Sequence, residues 1–103
     1  MNVTAFRIES AGPGRLAASG ELGFATATAA LESGLELIGP GQAWTVDLAG
    51  ITSGDSAGLA VLVEWLSAAR ARGATLSYVA VPAQIVAIAR ISDLEGLLAA
   101  QSG

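Results

Sequence analysis

Residues 46–66, "VDLAGITSGDSAGLAVLVEWL", change character within a dozen positions. Upstream, "AWTVDLAG" (43–50) is rich in β-favouring Trp44, Thr45 and Val46 and reads as a strand. Downstream, "AGLAVLVEWLSAARARG" (57–73) has the apolar spacing of a helix, with arginines near its end and Gly73 to stop it. A strand feeding a helix through a short Gly-Ser-Asp turn constrains the chain to a layered α/β arrangement. The flanking segments agree with it. "VTAFRIE" (3–9) and "RLAASGEL" (15–22) read as an antiparallel hairpin around the "SAGPGR" turn. "TATAALESGLELI" (26–38) places Ala27, Leu31, Leu35 and Ile38 at helical spacing, weakened by Gly34 and stopped by "GPGQ". "ATLSYVAV" (74–81) reads as a fourth strand. "PAQIVAIARI" (82–91) reads as a helix opened by Pro82, and "SDLEGLLAAQ" (92–101) as a short one capped by Ser92 or Asp93. The expected order is β-β-α-β-α-β-α-α, a small mixed sheet with parallel neighbours and packed helices.

The chain has 103 residues, enough for one core, and residues 1–103 read as one domain. Apolar residues make up 52% and charged residues 14%, so burial is easily supplied and part of the apolar surface is expected to meet a partner. Net charge is −4, with five arginines and no lysine, which leaves no cationic footprint for nucleic acid or anionic lipid. Arg70 and Arg72, the closest pair, read as a solvated helix end beside a carbonyl-rich terminus. The N-terminal stretch lacks the pattern of a signal peptide, and no apolar run approaches the roughly 20 residues of a membrane span. A soluble, cytoplasmic protein is expected.

Catalytic constellations are hard to assemble. Without cysteine or histidine the chain has no thiol chemistry, and it lacks the commonest general base and metal ligand. Without lysine there is no phosphate-loop lysine. Asp55 adjoins Ser56, but no third orienting group is identifiable, and the other carboxylates are scattered. No enzyme activity, cofactor or metal is expected. What remains is "SGDSAG" (53–58). Ser53, Asp55 or Ser56 can cap the helix, accepting a hydrogen bond from a free backbone N–H. The same end of a helix favours added negative charge, so a phosphate on Ser56 would be tolerated there and would repel an acidic or apolar partner.

The segment 46–98 resembles STAS domains, the family of sulfate transporters and anti-sigma-factor antagonists. The resemblance rests on Asp47-Leu48, on Asp55-Ser56-Ala57-Gly58-Leu59 opening a helix, and on Gly73-Ala74-Thr75-Leu76 leading into the next strand. "SGEL" (19–22) followed by "ATATAALE" extends it over nearly the whole chain. Within the family, "LVEWLSAARARG" and "VPAQIVAIARISDLEGLL" are most similar to the MlaB-type subunits of phospholipid ABC transporters. That implies a small cytoplasmic subunit binding a transporter ATPase (MlaF-like), reaching the inner membrane only through it, and serving outer-membrane lipid asymmetry. The competing branch comprises SpoIIAA-type antagonists, whose partner is an anti-sigma factor kinase and whose phosphoacceptor matches Ser56. Those proteins often carry a second Ser where this chain has Ala57.

The central helix suggests a docking surface of its own. Leu59, Leu62, Val63 and Leu66 share one face and suffice for the core. Val61, Trp65 and Ala68 form a second stripe, expected to be outward-facing. Together with Gly54, Asp55, Ser56 and Ala57 they make up the expected partner interface, with a partly exposed Trp65 as anchor.

Overall fold

In a computed structural model, which describes residues 5–102, four strands form one sheet in sequence order. The strands are β1 (Arg7–Ser10), β2 (Arg15–Leu22), β3 (Ala43–Gly54) and β4 (Thr75–Val79). Strand β1 pairs antiparallel with β2, while β2–β3 and β3–β4 are parallel. The helices are α1 (Ala27–Leu37), α2 (Ser56–Ala71), α3 (Ala83–Ile91) and α4 (Glu95–Ser102). This is the β-β-α-β-α-β-α-α order expected from the sequence. Val3 and Thr4, assigned from sequence to the first strand, lie outside the described residues. Helix α4 begins at Glu95, so neither Ser92 nor Asp93 directly precedes it, and Asp93 instead adopts a left-handed turn (φ 60°).

The alternation of buried residues along β2 (Leu16, Ala18, Leu22) and β4 (Leu76, Tyr78) gives the sheet one covered face and one open, more polar face. Strand β3 runs four residues past the expected Gly50, taking in the β-branched Ile51 and Thr52. It does so irregularly. Ala17 and Ser19 of β2 face Asp47 and Gly50 of β3, and Gly20 and Glu21 face Ile51 and Ser53, so β3 twice carries an extra residue. At the first bulge the Asp47 carboxylate accepts the Ala49 N–H at 2.8 Å, steadying the displaced backbone. The bulge shifts the inward positions from Val46 and Leu48 to Ile51.

The central helix faces the core differently from the expectation. Leu59 and Leu62 are buried, but Val63 and Leu66 are only half-buried, whereas Val61 and Trp65 are enclosed. Trp65 has no exposed surface. Its indole lies against Gly34 of α1, where a Cβ would overlap the ring, and its N–H donates to the Leu31 carbonyl at 3.3 Å. Phe6 stands beyond it, ring centroids 6.0 Å apart. The glycine that weakens α1 as an isolated helix is therefore the seat of the largest core side chain. Two further ties lock the layers. The Tyr78 hydroxyl donates to the Leu62 carbonyl at 2.6 Å, and burial pushes its pKa well above 10.0. The Arg72 guanidinium donates to the Leu35 and Ile38 carbonyls at 2.8 and 2.6 Å, closing the C-terminus of α1, while its backbone N–H caps its own helix.

Candidate functional site

The β3–α2 junction is built from Gly54, Asp55, Ser56 and Ala57. Gly54 ends β3, and Asp55 is the N-cap of α2. Of the three possible caps, Asp55 serves. Its Oδ1 accepts the N–H groups of Ala57 at 2.9 Å and Gly58 at 3.1 Å, satisfying two donors that the helix cannot pair internally. The other oxygen, Oδ2, accepts the Phe24 N–H at 3.0 Å, from the loop joining β2 to α1. That third bond is the principal reason the carboxyl lies below the usual aspartate range; partial desolvation opposes it, and the Gly58 and Ala57 bonds add to it. The side chain thus joins two loops 31 residues apart in sequence.

Behind this junction the packing leaves no slack. A Cβ on Gly58 would overlap the backbone carbonyl of Leu22, so the first turn of α2 rests directly on the end of β2. In front of it the surface is open. Ser56 is exposed, and its hydroxyl makes no hydrogen bond among the described residues. Ala57 is half-buried. Gly54, Asp55, Ser56 and Ala57 form one continuous stretch at this open end. The rest of the expected interface does not join them: Val61 and Trp65 are covered by the domain's own helices, and Ala68 is half-buried. The correction has a simple cause. Helix α1 lies across that stripe, and its Ala30 and Gly34 are small enough to let it close in.

One residue at this surface escaped the sequence reading. Phe24 is 87% exposed, directly in the loop that Asp55 holds. Its signal was available: a large aromatic in "GFAT", between turn residues and outside any apolar repeat. Elsewhere, a groove of about 390 Å³ lies beside the second half of α2, lined by Val63, Leu66, Arg70, Leu76 and Leu97 among others. Among the described residues no cluster of carboxylates could hold a metal ion, and no helix is long and apolar enough to cross a membrane.

A mixed four-stranded sheet with a capped, open helix end beside its parallel strands defines the class: a small α/β domain that presents a loop face. The chain belongs to the family described as "Mlab, STAS domain", whose model matches residues 6–99. Among solved structures it is similar to murine Solute Carrier 26 family member A9, an anion transporter captured in the inward-facing state. That match has a TM-score of 0.59 and 19% identity, and covers 82% of this chain but only 14% of the transporter. The likeness is one of fold. No curated protein shows significant sequence similarity to the chain.

Proposed function

We propose that this MlaB-like STAS domain, with residues 1–103 as one unit, is a non-catalytic subunit that binds and supports the ATPase of a bacterial phospholipid ABC transporter. On this reading it is cytoplasmic and meets the inner membrane only through that partner, in service of outer-membrane lipid asymmetry. The observation that carries it is the division of labour at the β3–α2 junction. Asp55 holds the fold, while the neighbouring Ser56 presents a hydroxyl that folding does not use. The family assignment supports the transporter context, as does the presence of the same fold as a small part of an anion transporter. Catalysis by Asp55 and Ser56 is disfavoured, because a carboxylate accepting three N–H bonds with a lowered pKa is a poor base. The test is co-purification with an MlaF-like transporter ATPase, for wild type and Ser56→Glu. Wild type is expected to be retained and Ser56→Glu released, with both folded by circular dichroism. Equal retention would remove the Ser56 loop from the interface.

The exposure of Ser56 at a helix N-terminus also favours one second reading: an anti-sigma-factor antagonist phosphorylated at Ser56. Incubation with an anti-sigma factor kinase and ATP, followed by mass spectrometry, separates the two. Phosphate on Ser56 supports the antagonist; an unmodified chain that still binds the ATPase supports the transporter subunit.

A further inference from the structure

The docking face proposed above has a polar centre at Ser56 but, with Val61 and Trp65 buried, no apolar anchor among the residues assigned from sequence. Phe24 supplies one. It stands 87% exposed, while the loop beneath it is fixed at several points. Its own N–H is held by Asp55 Oδ2, and the Thr26 N–H donates to the Gly23 carbonyl at 3.0 Å. The Thr26 hydroxyl, itself buried, donates to the Glu21 carbonyl at 2.8 Å and accepts the Gly23 N–H at 3.1 Å. An aromatic displayed on a loop that is already ordered loses little conformational freedom on binding, which is the property of an interface anchor.

Charge indicates what it meets. The ionisable side chains neighbouring Phe24 are acidic: Glu21, three residues before it, and Asp55, bonded to its backbone. Four of the five cations lie elsewhere. Arg15 sits at the opposite end of β2, Arg70 and Arg72 lie at the far end of α2, and Arg90 is paired with Glu95 at 2.9 Å; the fifth, Arg7, stands opposite Ser19 on the outer strand and leaves the acids in the majority. A partner matching this surface offers an apolar pocket with a basic border.

We propose that Phe24, held in place by the Asp55 carboxylate, is the apolar anchor of the Ser56 face and enters a pocket bordered by arginine or lysine on the partner ATPase. The inference rests on the docking reading above. Titration calorimetry with a purified MlaF-like transporter ATPase tests it, using wild type, Phe24→Ser, Phe24→Leu and Ser56→Glu at low and high salt. Phe24→Ser is expected to weaken binding by about 30-fold or more with an unchanged thermal midpoint, Phe24→Leu to retain most of the affinity, and wild-type binding to weaken as salt rises. If Phe24→Ser binds like wild type while Ser56→Glu does not, the docking reading stands and the anchor is overturned. If both variants bind like wild type, or wild type does not bind, the docking reading falls and takes the anchor with it. Affinity that is indifferent to salt would overturn the basic border. A homodimer in light scattering that Phe24→Ser dissociates would make the occupant a second copy and also overturn the proposal.

Discussion

The first turn of α2 and its Val61–Trp65 stripe belong to one helix, yet they meet opposite surroundings. The stripe is covered by α1, whose Ala30 and Gly34 let an indole lie flat between the two helices. The first turn is backed by the end of β2 and faces outward, with two of its N–H groups satisfied by a single carboxylate. Apolar character alone did not decide which surface stayed open. The size of the residues on the opposing element did, because a tryptophan is buried only where its neighbour has no side chain in the way.

Substitutions at four positions can break or sharpen this contrast. The largest effect is expected at the covered stripe. Trp65→Ala should cost about 3–5 kcal/mol of stability, read by urea unfolding, because it empties a fully buried site and removes the indole bond to the Leu31 carbonyl. A loss below about 1 kcal/mol would show that α1 does not seal the stripe. Gly34→Ala comes next, at about 1–3 kcal/mol, since the added methyl must displace the indole. Combining it with Trp65→Leu should recover part of that loss; simple additivity would separate the two residues.

At the open end the effects are smaller. Asp55→Ala should cost about 0.5–2 kcal/mol through the lost cap. Its pH signature distinguishes the charge from the hydrogen bonds. Folding lowers the Asp55 pKa from its ordinary 3.8, so its stabilisation is complete above that value and disappears as pH falls through the folded pKa. The stability gap between wild type and Asp55→Asn should therefore narrow in acid; a gap constant with pH would mean the charge contributes nothing. Ser56→Ala should be smallest, within about 0.5 kcal/mol, because the exposed hydroxyl bonds to no described residue. A larger loss would make Ser56 part of the cap after all.

Much of this was legible in the sequence, for identifiable reasons. Strand β2 was read to the residue because a turn cluster and a helix start bound it on both sides. Strand β3 extends four residues beyond the alternation visible in the sequence, because its bulges break the pattern that marks a strand. The junction of Gly54 to Ala57 was visible as a motif. Which of Ser53, Asp55 and Ser56 caps the helix was not, since that depends on backbone angles at Asp55 and on a donor 31 residues away at Phe24. Trp65 is buried where periodicity places it outward, because periodicity ranks the faces of one helix and carries nothing about what lies across from them. Gly34 carried the missing information, but a glycine in a helix reads first as a weakness.

The burial of Trp65 also divides the chain's two indoles optically. Trp44 is half-buried at the start of β3, with its N–H on the Gly39 carbonyl at 2.9 Å. Trp65 is sealed beneath α1. An aqueous quencher such as iodide should reach the first and spare the second, leaving a residual blue-shifted emission that belongs to Trp65. Because α1 is the lid over that ring, loss of the shielded component would register the detachment of one helix while the sheet remains paired. The intrinsic fluorescence of the unmodified chain thus separates local opening from global unfolding without an added label.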